Sequence, residues 1–143
     1  MTTKQYLSQV RKSDKKIDKE LEELAYLKEL AKGISSVSTS NVKVKSSGEK
    51  DILSKRVVKI AELEEKIDRM VDEYVEKRRV ILEQIHDLDN ETEKTVLHEF
   101  FFKGKTIDEI AGEIGYSTRN TYNIYSSGLI SFEQKYKKLY AKL

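Results

Sequence analysis

The sequence predicts an all-α protein: a long antiparallel helical hairpin of coiled-coil type, followed by a small helix-turn-helix domain. Three observations predict it. The 143 residues contain no Pro and are 36% charged, a composition that favours long uninterrupted helices. Apolar residues recur every seven positions over two long stretches, which is a narrow coiled-coil seam. Near the C-terminus, two short amphipathic segments flank a Gly-Tyr-Ser turn.

The first helix is predicted over residues 3 to about 32. Val10, Ile17, Leu24 and Ala31 mark one stripe, and Leu7 and Leu21 the alternate stripe, interrupted by Asp14 and Lys28. Residues 33–49 hold GISSVSTSNVKVKSS and Gly48, and predict a Ser-rich loop with a short alternation at Val42-Lys43-Val44-Lys45. Gly48 lacks the Gly and Lys-Ser partners of a phosphate-binding loop. The second helix is predicted from Lys50 to Leu88, with Leu53, Ile60, Ile67, Tyr74, Ile81 and Leu88 in strict register. Val57, Met70 or Val71, and Ile85 supply its alternate positions. Arg78 and Arg79 read as solvated stems beside the seam. Such a helix is roughly 55–60 Å long at 1.5 Å per residue, too long for a small domain to cover. Folding back on the first helix or pairing with a second copy would each bury it; the expectation is the hairpin, with dimerisation in addition. Residues 1–88 form one domain in this reading and 89–143 the other.

The C-terminal domain opens at Asn90, whose spacing to Glu93 is that of a capping box. Val96/Phe100 and Leu97/Phe101 form i,i+4 pairs, and Gly104 closes that helix. Thr106 caps the next helix, with Glu109 completing a second box, and Ile107, Ile110, Ala111 and Ile114 share its inner face. Gly115 suits a left-handed turn position, and Ser117 caps the last helix. Ile124, Gly128, Leu129 and Phe132 give that helix its inner face, and Tyr136, Leu139 and Tyr140 continue it. An ordinary helical hairpin with a Gly turn shares some of these features. The joint pattern of caps, small residue and turn favours a helix-turn-helix.

In that motif the start of the second helix faces the DNA major groove. Ser117, Thr118, Arg119, Asn120, Tyr122 and Asn123 are therefore the candidate DNA-binding residues. Arg119 could address guanine bidentately and Asn123 adenine. Lys105, Thr106, Lys135, Lys137 and Lys138 are candidate phosphate contacts. Tyr122 is balanced between base contact and packing; Tyr116 is expected to pack, and for Tyr125 base stacking and packing both stay open. Residues 114–143 carry five basic residues against one acid, Glu133, whereas the whole chain carries +2. Phosphate contacts by one copy should be few.

Other chemistries find no support in the sequence. There is no Cys, hence no disulfide and no thiolate metal site. His86 is followed by Asp87 and Asp89, but no third ligand stands at useful spacing for it or for His98. Glu22/Glu23 and Glu64/Glu65 lie on solvated helix faces. No catalytic constellation emerges, so neither an enzyme nor a cofactor is expected. No apolar run approaches the ~18–20 residues of a membrane span, and MTTKQYLSQVRKSDKK lacks the apolar core of a secretory signal. A cytoplasmic location, in a bacterial host cell by the resemblance below, is the expectation.

Residues 105–117, KTIDEIAGEIGYS, resemble the core of region 4 of sigma factors, the part that reads the −35 promoter element; Gly128-Leu129 and Phe132 are similar to its close. The whole chain resembles small proteins of phages and prophages of Gram-positive bacteria that join a helical coiled coil, a loop ending in Ser-Ser-Gly (here Ser46-Ser47-Gly48) and a region-4-like domain. The opening MTTKQYLSQVRKSDKKI is also similar to theirs. The resemblance implies a phage transcription regulator of late or lysis-module genes, acting on double-stranded DNA, with RNA polymerase and a second copy as further partners. It equally admits a protein-interaction module that binds polymerase or a phage protein without reading DNA, and a DNA-packaging adaptor like a terminase small subunit. The chain departs from the pattern at Thr121, where Val is usual, and at Asn120, Asn123, Ser126, Ser127, Ile130 and Ser131, where basic residues are more frequent.

Overall fold

The computed structural model describes residues 1–40 and 47–142. Those residues form five α-helices and no strand: α1 (Thr3–Ser40), α2 (Ser47–His86), α3 (Glu91–Phe101), α4 (Ile107–Ile114) and α5 (Thr118–Tyr140). The all-α prediction is met among the described residues. Part of the expected loop over 33–49 is helical: α1 continues through Gly33 to Ser40 and α2 begins at Ser47. A helix already formed adds residues at little cost, and a single Gly opposes it by only about 1 kcal/mol. The Val42–Lys45 alternation lies outside the described residues.

The chain divides into two compact units, residues 1–14 with 74–143, and residues 15–73. This division falls elsewhere than the boundary at residue 88 expected from the sequence. The last turns of α2 and the first turns of α1 group with the C-terminal helices because Tyr6, Leu7, Val10, Ile81, Ile85 and Leu88 enter the same core as Val96, Leu97, Phe101, Ile110 and Phe132.

In this first unit, α3 and α4 both pack on α5. Tyr6 stacks on Tyr140 with ring centroids 4.6 Å apart, and Thr3 Oγ1 and Tyr140 Oη share a hydrogen bond of 2.7 Å. Tyr6 Oη donates to Gln84 Oε1 at 2.8 Å. The end of α5 is thereby tied to the start of α1 and to α2. Gly128 lies where α5 meets α3: a Cβ there would come within 3.2 Å of Leu97 Cγ and 3.4 Å of Glu93 Cβ. Only a residue without a side chain lets the two helices approach this closely.

In the second unit, Lys66 pairs with Glu20 (2.9 Å), Lys28 with Glu64 (3.3 Å), and the Arg56 guanidinium donates to the Leu30 carbonyl (3.3 Å). Partner numbers rise on one helix as they fall on the other, so within this unit α1 and α2 lie antiparallel. Ile17 and Ile67 are buried, and Leu24, Leu27, Leu53, Ile60, Leu63 and Met70 are half-buried. The heptad of Val10, Ile17 and Leu24 is inward as expected. Of its expected alternate stripe, Leu7 is buried in the first unit, but Leu21 is 46% exposed, and further along the inward positions lie one residue earlier, at Ser13, Glu20 and Leu27. On α2 the alternate positions are Arg56, Leu63, Met70, Lys77 and Gln84, and Val57 and Val71 are exposed. Ile85 is buried as expected, in the core of the first unit.

Candidate nucleic-acid interface

The turn between α4 and α5 is built by local chemistry. Thr106 Oγ1 accepts from the Glu109 N–H at 3.2 Å and donates to Glu109 Oε1 at 3.2 Å, which satisfies an orphan donor at the start of α4. Asp108 and Glu109 in the first turn also suit the positive end of the helix dipole. Gly115 ends α4 with φ +76°, its N–H bonded to the Ala111 carbonyl. Ser117 then accepts from the Asn120 N–H at 3.1 Å and starts α5. Ile110 and Ala111 are buried beneath, with Ile107 and Ile114 half-buried on the same face.

The start of α5 has two faces. Thr121 is fully buried, its Oγ1 donating to the Ser117 carbonyl at 2.9 Å, and Tyr125 is 7% exposed with its ring 4.8 Å from Phe100. Outward lie Arg119, Asn120, Tyr122 and Asn123, all exposed. Ser117 and Thr118 are exposed as well but engaged: Ser117 as the cap, Thr118 by donating to Asp108 Oδ1 at 2.9 Å. Four side chains that make no hydrogen bond or ion pair among the described residues, one of them a guanidinium, thus remain on a contiguous helical surface. Of the two tyrosines, Tyr116 departs from the expected packing, and Tyr125, for which stacking and packing were both open, packs. Tyr116 is 45% exposed, because the chain leaves the left-handed Gly115 pointing away from the core.

The expected phosphate contacts fare unevenly. Lys105 is held between Glu99 (2.7 Å) and Glu113 (2.8 Å), and its ammonium is stabilised first by Glu113 and then by Glu99, which raises its pKa. Lys135 binds both the carboxylate and the carbonyl of Asp87 at 2.7 Å, and Lys137 sits 3.3 Å from Glu133. Lys138 makes no ion pair among the described residues. Thr106 is engaged as a cap. Tyr136 Oη donates to Asp87 Oδ2; burial, followed by this bond, pushes the phenol up to about 12. Lys135 and Tyr136 together hold the Asp87 carboxyl below its ordinary range.

Sequence reasoning missed a buried polar link. Glu93 was expected to turn back on its own cap. Asn90 does accept from the Glu93 N–H at 3.0 Å, but the Glu93 carboxylate is 8% exposed and accepts from Ser127 Oγ at 2.7 Å. It pins α3 to α5 thirty-four residues away, and the Gly128 contact beside it is the one signal that α5 lies close at this level. His86 and His98 have ring centroids 6.0 Å apart, yet no cluster that could hold a metal occurs among the described residues. His98 instead stacks on Phe102 at 5.4 Å, and burial lowers its pKa. Among the described residues no helix is long and apolar enough to cross a membrane.

Residues 33–130 match the model of a family described as a protein of unknown function, DUF1492, a span of more than half of the chain. The chain belongs to the DUF1492 family. The DUF1492 match takes in α2, α3 and α4 whole and α5 as far as Ile130. It therefore includes the exposed Arg119, Asn120, Tyr122 and Asn123 and stops short of Lys135, Lys137 and Lys138. No curated protein and no solved structure matches the chain.

Proposed function

We propose that this DUF1492 protein is a non-enzymatic, DNA-binding transcription regulator of phage origin acting in the bacterial cytoplasm. In this reading α4, the Gly115 turn and α5 are a helix-turn-helix of the sigma-region-4 kind, with α5 in the major groove of promoter DNA. Residues 15–73 are a coiled-coil hairpin that dimerises the protein or contacts RNA polymerase. The observation that carries the reading is the division of the first turns of α5. Thr121 and Tyr125 are buried, while Arg119, Asn120, Tyr122 and Asn123 stand outward from a doubly capped, sharply turned helix pair. Arg and Asn are the residue types that read guanine and adenine edges.

The test is a gel shift across promoter fragments of the host prophage, with and without RNA polymerase. Arg119→Ala is expected to weaken a specific complex by about tenfold to a hundredfold, from the ~1–3 kcal/mol of a bidentate base contact. No sequence-dependent shift at low salt under either condition rejects the reading.

A second reading, a module that binds polymerase or another protein without reading DNA, is favoured by one observation. Lys105, Lys135 and Lys137 are paired to the chain's own carboxylates, which leaves few cations for phosphates. Co-purification with polymerase after nuclease treatment, with no DNA binding, would decide for it.

A further inference from the structure

The cations around the turn between α3 and α4 are not alike. Lys103 and Lys105 are both drawn to Glu99, at 3.3 and 2.7 Å. Arg11 reaches the same turn from α1. Its guanidinium carbon lies 5.9 Å from the centre of the Phe100 ring, and Nη2 would stand 3.6 Å from a Cβ at Gly104. The side chain is half-buried, yet it makes no ion pair and donates no hydrogen bond among the described residues. The ring of Phe100 and the negative end of α3 account for where the guanidinium sits. They leave its N–H donors unfilled. A guanidinium fixed by a ring, with open donors and no carboxylate, is suited to grip a phosphate bidentately with little further ordering.

Two routes lead from Arg11 to the outward face of α5. The first is aromatic: Phe100 lies 4.8 Å from Tyr125, and Tyr125 lies 6.1 Å from the exposed Tyr122. The second runs along the chain. From Gly104 to Asp108 the backbone spans at most about 14 Å. Asp108 accepts a hydrogen bond of 2.9 Å from Thr118, in the first turn of α5. The major groove is about 12 Å wide, and each of its rims carries a phosphate charge about every 3.4 Å along the axis. A helix reading base edges inside the groove therefore has a rim of phosphates at the distance where Arg11 stands.

We propose that Arg11 is a phosphate-contacting residue of the nucleic-acid interface, through which α1 grips the DNA backbone on the rim of the groove that α5 enters. The inference rests on the reading of α5 as a DNA-binding helix, and adds to it a contact from outside the helix-turn-helix.

Fluorescence anisotropy of a labelled promoter duplex, titrated with the full chain over a series of salt concentrations, tests it. Arg11→Met keeps an apolar stem on Phe100 and removes the charge. It is expected to reduce the slope of log affinity against log salt by about 0.9, the value of one phosphate contact, which is about fivefold to tenfold in affinity near 0.1 M salt. A scrambled duplex should weaken by the same factor, because a phosphate contact carries no sequence information. Arg11→Lys should restore the slope, and Arg11→Gln reads the same loss should the Met variant fail to fold. Arg78 is the control. It lies 5.3 Å over Phe102, and Phe102 is about 200° round α3 from Phe100, so Arg78→Met should leave the slope unchanged. Thermal unfolding of each variant separates a lost contact from a lost fold. No binding of either duplex by the wild-type chain at low salt overturns this contact and the DNA reading together. Wild-type binding with a full slope in Arg11→Met overturns this contact alone, and so does a loss confined to the promoter duplex. If that full-slope variant is also no longer retained by purified RNA polymerase, Arg11 is a protein contact instead.

Discussion

In residues 1–14 and 74–143, Leu7, Val96, Leu97, Phe101, Ile110 and Phe132 are wholly enclosed; in residues 15–73, Leu24, Leu27, Leu53, Ile60 and Leu63 stay half-exposed. The same kinds of side chain are present in both units. The number of walls around them differs. Two helices share one seam, so each apolar residue has neighbours on one side only. Segments of five helices close around Phe132 and Phe101 from all sides. The two-helix unit, unlike the enclosed one, gains from any further surface that covers it.

Core truncation breaks this contrast most sharply. Phe132→Ala is expected to cost about 3–5 kcal/mol, because its ring packs against Tyr6, Tyr136 and Tyr140 and leaves a cavity they cannot fill. Ile60→Ala, half-exposed in the seam, should cost well under half of that. Urea unfolding followed by circular dichroism measures both. Equal losses would mean that the seam is as enclosed as the core.

Two smaller effects test how the α4–α5 turn is held. Gly115→Ala should cost about 1–2 kcal/mol, since φ +76° brings a Cβ against the backbone even though the surrounding space is open. Ser117→Ala should cost about 1 kcal/mol through the lost bond to the Asn120 N–H. Both losses should appear in the thermal unfolding of the whole chain.

These caps were legible in the sequence because they are local: Thr106 to Glu109, Gly115 and Ser117 act within three residues. The seven-residue stripes were legible for the same reason. The alternate stripe was not, because i+3 and i+4 are equally good neighbours on an isolated helix. The facing helix chooses between them, and it chose Glu20 over Leu21 and Arg56 over Val57. The Glu93–Ser127 bond and the Tyr6–Tyr140 stack join residues far apart in the chain, which no local spacing encodes. At the candidate interface the exposed set of Arg119, Asn120, Tyr122 and Asn123 was legible from helical periodicity. The engagement of Lys105 by two carboxylates was not, since it depends on how α3 and α4 meet.

His98 gives the contrast a pH dependence. Its imidazole is partly buried against Phe102, and burial places its folded pKa below the ordinary value of 6.5. The unfolded chain therefore binds the proton more readily. Stability from this group is complete above about pH 6.5 and falls as pH drops through the folded pKa. His98→Phe should flatten the decline in stability between about pH 7 and pH 5.5 in the enclosed unit. Thermal melts of the two proteins across that range check it, and an unchanged slope would mean that the imidazole is not desolvated.

Tyr125 and Tyr122 carry the smallest effect and separate packing from binding on one helix. The Tyr125 hydroxyl is buried and has no hydrogen-bond partner among the described residues, and burial raises its pKa. A buried hydroxyl left unpaired costs stability, so Tyr125→Phe should leave the protein as stable as before or more stable by up to about 1 kcal/mol. The ring remains against Phe100 and Phe101. Tyr122 is 56% exposed, so Tyr122→Phe should leave stability unchanged while removing a hydroxyl that faces outward. If α5 enters a groove, Tyr122→Phe weakens DNA binding and Tyr125→Phe does not. The reverse ranking in a gel shift would mean that α5 turns its other face to DNA, and the division between its two sides would then have to be redrawn.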